Sequence, residues 1–592
     1  MKIHLHFYDE TRWKLHEDTW IRGKGIDSKQ LVSDQYLIKA IRKLDTTAQT
    51  AEMAAGLNGF WAWIRVWDDK VILCVDHHRS VPIFYAVDGH KVWISDEAGW
   101  IDRQLAHALP DELLASEYLV LGYVTGNETI TRRIRQVEAG TFTEITENSR
   151  TSGSKSRNHT NDSQGASETV NDAGTDNPGL DVSHHRYFRY LHRYRTTSKK
   201  QLLLELDDVI LQTLKKTVDY ADGRPIALPL SGGYDSRLIA ATLKRLKYPD
   251  VRCYTYGQKS SKEIGVSKSI AGELDYPWNC VTYSKEKWRE WFHSRQRRQY
   301  YRQASALAGI PNIQELVAVG ELKKQKILPE DTLIVGGHHG GLMPGGRAEY
   351  DTYTYREHPE MNMDTVISHI MHYHYYLWNW SDQHDDLYPF FRDRITKSLA
   401  PEESYPDSPS ACESWDFHER QAKFIIHAGR LYEFMGFDWW MPWCDLDYLH
   451  FWLQVPLEFR HEKSLYKEYI SSLPPRNISG YYPKSKILSV RNKIKNTPVF
   501  NISKKGYHTY MAWKRMKTIY DNHPLAWYGI INETDFRGRF TGREHINSFQ
   551  SLELLRILFE NGFLSVDEIL HRAVSTLPTV SGNTGLPPDE TN

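Results

Sequence analysis

The sequence predicts an α/β plus α+β protein, with a sheet-rich first part and then a parallel sheet carrying helices on its faces. Three observations predict it. Short alternating apolar runs fill the first 146 residues, and a sharp break in composition follows. Beyond the break, strand, turn, helix and strand succeed one another within about thirty residues, the pattern of a βαβ unit.

The alternating runs are 60–67 (FWAWIRVW), 71–75 (VILCV) and 82–86 (PIFYA), which read as strands separated by polar turns. Residues 147–185 hold almost no large apolar side chain. Such a stretch cannot offset its ordering entropy by burial, so a disordered linker is expected there. Residues 575–592 form a similar tail. The expected domains are therefore 1–146 and 186–574. In the second, Leu203, Leu206, Ile210, Leu214 and Val218 recur at helical spacing, giving one buried face. Residues 225–230 (PIALPL) read as a buried strand, followed by a Gly-Gly turn and a helix with Leu238, Ile239, Leu243 and Leu246 inward. Residues 252–257 supply the next strand. From His369 onward the chain reads as helical and aromatic-rich.

A chain of 592 residues is too long for one compact core. Its net charge of -1 gives no overall electrostatic reason for nucleic acid or an anionic membrane as partner. Five scattered cysteines without a CxxC pair support neither a zinc knuckle nor a disulfide framework. No run reaches the ~18 apolar residues that span a bilayer, and MKIHLHFYDE lacks the apolar core of a signal peptide. A soluble, cytoplasmic protein is expected, with a homodimer left open.

The turn after the 225–230 strand is Ser231-Gly232-Gly233-Tyr234-Asp235-Ser236. Two glycines let backbone approach a phosphate closely. The first N–H groups of the following helix then point at the anion, along a dipole that favours negative charge. Asp235 would repel bare phosphate, which argues for a bridging Mg²⁺. The bland alternative is an ordinary Gly-Gly helix cap, but strand before and helix after favour the cradle. The Walker GK[ST] signature is absent.

This string resembles the SGGxDS pyrophosphate loop of ATP-pyrophosphatases, and its surroundings resemble the asparagine synthetase family. Tyr254-Thr255-Tyr256-Gly257 is similar to that family's second strand. Arg430, Glu433, Pro442 and Asp445 resemble its R-x-x-E…P-x-x-D segment, which lines the acyl-acceptor pocket. Leu57-Asn58-Gly59-Phe60, Asp76-His77-His78-Arg79-Ser80, Pro82-Ile83-Phe84-Tyr85 and Ser95-Asp96 resemble its glutaminase-type domain. The resemblance spans most of residues 50–470. It implies a degenerate Ntn-hydrolase-like αββα domain, then a doubly wound ATP-pyrophosphatase domain ending in helices. It also implies ATP and Mg²⁺ as cofactors, with a small-molecule carboxylate, aspartate or a related acid, adenylated for attack by ammonia or an amine. Ser231, Gly232, Gly233, Asp235 and Ser236 would hold phosphates and metal, and Leu228, Tyr256 and Gly257 would frame adenine through the backbone.

The sequence also departs from that family. Glutamine-hydrolysing members use a cysteine exposed at the chain start, whereas position 2 is Lys2 and the first cysteine is Cys74. Glutaminase chemistry is expected to be lost, as in β-lactam synthetase-like enzymes. The second phosphate-facing loop, 335–342 (VGGHHGGL), has His338, Gly341 and Leu342 where acids are expected, so one magnesium ligand is missing. His338 is a candidate base with Glu433 to orient it, or simply part of a polar turn. Lys484 and Lys486 are candidates for the lysine that stabilises the adenylation transition state, or members of an exposed basic turn. A nucleotide-binding relative without turnover, acting as a binding or scaffold protein, remains the alternative. Among other features, 186–200 (RYFRYLHRYRTTSKK) reads as a helix packing its aromatics inward. His369, His372 and His374 read as packed histidines, and Asp416, Glu419 and Arg420 as helix-face charges.

Overall fold

The computed structural model describes residues 1–27, 30–106, 110–147, 168–171, 179–304, 307–345, 360–474, 516–523, 525–540, 544–558 and 568–572. The first part contains strands Lys2–His6 (β1), Trp13–His16 (β2), Thr19–Asp27 (β3), Gln30–Leu31 (β4), Asn58–Val66 (β5) and Lys70–Val75 (β6). It continues with Phe84–Asp88 (β7), Lys91–Ser95 (β8), Arg135–Gln136 (β9), Thr141–Glu147 (β10), Glu168–Asn171 (β11) and Leu180–Arg186 (β12). They form two sheets, ordered β1-β8-β7-β9 and β11-β12-β10-β6-β5-β3-β2, with β4 paired to β3.

Alternation decides how these sheets stack. Ala62, Ile64, Leu73 and Val75 on one face of the larger sheet meet Ile83, Tyr85, Val92 and Ile94 of the smaller. Trp61, Trp63, Ile72 and Cys74 point the other way, onto Leu37, Ile38 and Ile41 of helix Asp34–Ile41 (α1) and Ala54 of helix Thr47–Gly56 (α2). Phe84 and Ala86 on the outer face of the smaller sheet pack on Ala98 and Ile101 of helix Ala98–Gln104 (α3). The layers thus run helix, sheet, sheet, helix. Both faces of β5 are covered, which is why it carries apolar residues on both sides of the pleat, Ala62 and Ile64 on one and Trp61 and Trp63 on the other.

The stretch expected as a linker behaves differently at its end. Leu180–Arg186 forms β12, antiparallel to β10 from Thr141↔Arg186 to Glu147↔Leu180, so the sheet continues past residue 146. Only Leu180 and Val182 anchor it in the core, too few apolar residues to lift the composition of the segment. The tail at 575–592 lies outside the described residues.

The second part is a five-stranded parallel sheet built from Ile226–Pro229 (β13), Val251–Gly257 (β14), Trp278–Thr282 (β15), Leu333–Val335 (β16) and Asp438–Trp440 (β17). Its order is β15-β14-β13-β16-β17. The chain therefore steps outward from β13 in one direction, then returns to the other side of β13 and steps away again. That reversal is a topological switch point, and the crevice outside the carboxyl ends of β13 and β16 is where such sheets receive ligands. After helix Glu112–Leu121 (α4) of the first part, helix Lys199–Ala221 (α5) precedes the sheet, Tyr234–Arg245 (α6) joins β13 to β14, and Lys262–Glu273 (α7) joins β14 to β15.

Residues 187–198 form no helix. Their backbone bonds elsewhere, with the Arg193 and Arg195 N–H groups donating to Leu453 and Gln454 carbonyls. Each ring also finds a separate buried partner: Nε2 of His192 lies 2.9 Å from Glu413, and the Tyr194 hydroxyl donates to Asp407 at 2.7 Å. The two halves are joined by buried polar contacts. Asn58 donates to Asp445 at 2.7 Å, and Lys216 of α5 reaches the same carboxylate at 2.9 Å. No described helix is long and apolar enough to cross a membrane.

Candidate functional site

The Ser231–Ser236 turn leaves the carboxyl end of β13 directly at the switch point. Its N-cap is Gly233, which offers no side-chain cap to α6, so the first-turn N–H groups remain available to an anion. Within the turn, Ser231 N–H donates to Oγ of Ser236 at 3.1 Å, and Gly233 N–H to Oγ of Ser231 at 3.1 Å. The Gly232 N–H donates to Oε1 of Glu263, in the first turn of α7, at 3.3 Å. A carboxylate oxygen therefore already engages the loop, and an oxyanion suits its donors.

The loop after β16 closes over this turn. A Cβ on Gly337 would lie 3.1 Å from the Ser236 nitrogen, and one on Gly340 would lie 2.9 Å from Cγ of Asp235 and 2.5 Å from Cδ1 of Trp443. Only glycine fits at residue 340 without displacing the buried Trp443. Asp235 sits between the two loops. Its Oδ1 accepts from the Tyr466 hydroxyl at 2.7 Å. Burial raises its pKa, offset in part by the Lys463 ammonium and that hydroxyl. A Cβ built on Gly341 would lie 3.6 Å from both Oδ2 of Asp235 and Nζ of Lys463. The missing side chain at position 341 thus faces a carboxylate and an ammonium together.

Lys463 was not among the lysines singled out by sequence. Lys484 and Lys486 lie outside the described residues. Lys463 has a left-handed backbone (φ 57°), is largely buried, and immediately precedes helix Ser464–Ser472. The signal was present in the spacing: Leu465, Tyr466, Tyr469 and Ile470 mark a buried helical face, so a lysine one turn from Tyr466 is carried inward with it.

His338 follows Gly337 in the second loop. Its Nδ1 is buried without a hydrogen-bond partner, and burial lowers its pKa to about 4, so the ring is neutral near pH 7. That is below the range in which an equilibrium base works best. Glu433 does not orient it: no hydrogen bond joins the two. Instead Glu433 receives Arg430 at 2.7 Å, Trp439 at 3.0 Å and Arg22 at 2.6 Å. Burial opposes its ionisation, but Arg22, Arg430 and Arg12 outweigh it and hold the carboxyl at about 2. It lines a cleft of about 180 Å³ between the halves, together with Arg12, Arg22, Phe60 and Trp439. Arg430 also donates to the Ser80 carbonyl at 2.6 Å, so these residues serve the junction.

Of the expected adenine contacts, Tyr256 and Gly257 end β14 at the same sheet edge, and the Gly257 carbonyl accepts from Tyr283 at 2.8 Å. Leu228 is fully buried inside the ladder, opposite Cys253. His374 is buried against Trp415. Asp416, which ends the buried helix Ser408–Asp416, and Glu419, in the π-helix Phe417–Ile425 that follows it, are buried rather than surface charges. Glu419 pairs with Lys423 at 2.6 Å.

A parallel sheet whose switch point carries a glycine-rich turn at a helix N-terminus defines an α/β domain with a ligand crevice at that point. Within it, residues 205–295 match the family model of asparagine synthase, from inside α5 through the turn and β15 to the helix Lys285–His293. No curated protein sequence matches the chain.

Proposed function

We propose that the protein is an ATP-dependent ligase of the asparagine synthase type, releasing AMP and pyrophosphate as it joins nitrogen to a carboxylate. The observation that carries this reading is the convergence of the Ser231–Ser236 turn, Asp235 and Lys463 at the switch point, the turn itself lying within residues 205–295, which match asparagine synthase. Phosphate oxygens take the place of Glu263 on Gly232 N–H, with Gly233 N–H, the first turn of α6 and the hydroxyls of Ser231 and Ser236 adding donors. Tyr256 and Gly257 border the base. Asp235 would hold Mg²⁺, which would neutralise phosphate charge there; one carboxylate with phosphates and water would satisfy its preferences.

The acid's carboxylate oxygen attacks the α-phosphorus as the bond to pyrophosphate breaks. Lys463, held beside Asp235, stabilises the charge that develops on the leaving group. The nitrogen of ammonia or an amine then attacks the acyl carbon and AMP departs. In this reading the nitrogen comes from ammonia or an amine already on the substrate. His338, neutral and with an unpaired Nδ1, accepts a proton from the incoming nitrogen in passing.

ATP–pyrophosphate exchange across a panel of carboxylic acids, aspartate included, with and without ammonia, tests this. Exchange with at least one acid, abolished by Asp235→Ala, is the expected result. A second reading, nucleotide binding without turnover, is favoured by the lack of a carboxylate at Gly341 and Leu342. ATP binding with no exchange across the panel would decide for it.

A further inference from the structure

Two His-His pairs in the sequence have no part in the proposed ATP chemistry as pairs: Asp76-His77-His78-Arg79 and Gly337-His338-His339-Gly340. The fold brings one histidine from each together. His78, in the turn after β6, and His339, in the loop after β16, lie with their ring centroids 5.1 Å apart, and Cys444 approaches from the turn after β17. One ring nitrogen of each histidine and the Cys444 sulfur lie within 4.8 Å of one another, and all three residues are buried.

The surroundings orient these groups. Asp76 accepts from the His78 backbone N–H at 2.8 Å and from Ser80 N–H at 3.1 Å, fixing the turn. Nε2 of His78 lies 2.8 Å from the Cys444 carbonyl, which can only accept, so this nitrogen carries the hydrogen and Nδ1 keeps its lone pair. Nδ1 of His339 lies 3.0 Å from Oε1 of Gln421, whose amide donates in turn to Asp416 at 3.2 Å. That fixes the hydrogen on Nδ1 and leaves Nε2 with a free lone pair. The His339 side chain is 4 % exposed, and its Nε2 has no hydrogen-bond partner. A second-sphere acceptor fixing one ring nitrogen while the other stays bare is how metal-binding imidazoles are held. Phe417 packs against both rings, at 5.0 and 5.4 Å, and backs them on one side.

We propose that His78, His339 and Cys444 form a buried binding site for Zn²⁺, with a fourth position open to water. Two imidazoles and a thiolate select a borderline-soft ion over Mg²⁺, which requires oxygen. Zinc–nitrogen and zinc–sulfur bonds of about 2.0 and 2.3 Å draw such ligands to within about 3.6 Å of each other, so the cluster closes by at most roughly 1 Å when loaded. The Cys444 thiol releases its proton to solvent as the Zn–S bond forms. No step of the ligase reading depends on this ion. Its place is structural: it ties the first half's turn to the loop that carries Gly340 over Asp235.

Full-length protein, expressed with Zn²⁺ and separately with Co²⁺, is assayed for metal per chain and by absorption and X-ray absorption spectroscopy. One equivalent per chain is expected, with a thiolate-to-cobalt charge-transfer band and a shell of one sulfur with nitrogens. Cys444→Ser should lose the band, and His339→Gln should lose the equivalent, with circular dichroism unchanged. The wild-type X-ray absorption result stands even where a variant fails to fold. No metal above background, or a shell without sulfur, overturns the site and leaves a hydrogen-bonded thiol–imidazole cluster. That outcome is separable from the nucleotide reading, which exchange activity alone decides.

Discussion

Lys463 and Asp235 share one small space, and single substitutions there separate their roles. Lys463→Met removes the ammonium but keeps much of the stem, so exchange should fall by about 10²–10³ while ATP still binds; rapid-mixing exchange and equilibrium binding measure the two. Gly341→Asp adds a carboxylate where a Cβ has ordinary clearance, 3.6 Å from Asp235 and Lys463. It should lower the Mg²⁺ concentration needed for half-maximal exchange. Gly340→Ala should instead cost about 1–3 kcal/mol through overpacking on Trp443, visible in urea unfolding. A separate residue reports on pH. Glu315 is buried and accepts from the hydroxyls of Tyr254 at 2.6 Å and Tyr432 at 3.0 Å; burial outweighs these contacts and raises its pKa from 4.5 to about 7. The folded chain then holds this proton more tightly than the unfolded chain does, so the group's contribution is full below pH 4.5 and is lost as pH rises to about 7. Glu315→Gln should flatten that part of the stability–pH profile by on the order of 3 kcal/mol. At this scale the glycine turn was legible in the sequence because a rare string sat between a strand and a helix. Lys463 was not, because its importance comes from packing across 228 residues to Asp235, which local pattern does not encode.

At the level of elements, β5, β6, β13 and β14 were legible from apolar alternation or from a buried run. The segment 187–198 was not, since interleaved basic and aromatic residues satisfy a helical wheel as readily as they satisfy a strap whose rings insert one by one. Phe417–Ile425 misleads in the same way. Asp416, Glu419 and Arg420 look like a solvated face at helical spacing, but the helix Ser408–Asp416 and the π-helix after it run through the core, and Asp416 and Glu419 are buried. Wide turns of this kind are frequent at functional sites, and this one supplies Gln421 to His339. Glu419 also accepts from Gly126 N–H at 3.1 Å. Glu419→Ala should leave the Lys423 ammonium buried without its carboxylate and cost about 3–5 kcal/mol, measured by denaturant unfolding.

Across the whole molecule, the halves are bound by ionic contacts that composition could not reveal. Asp445 holds Asn58 of the first half and Lys216 of the second at once, and Arg22 spans Asp96 and Glu433 at 2.8 and 2.6 Å. The recognisable motif segments 430–433 and 442–445 therefore serve partly as mortar between halves. The sheet order adds a second, quieter consequence, through the side chain that rests on the Gly232 amide. With Glu263 already seated there, a phosphate arriving as proposed above would trade places with an anion instead of capturing bare donors. Its affinity would be correspondingly moderated, and a departing pyrophosphate would meet a tethered competitor ready to return. The same glutamate would act as doorman in both directions, keeping the threshold shaped between visits and preventing any guest from overstaying.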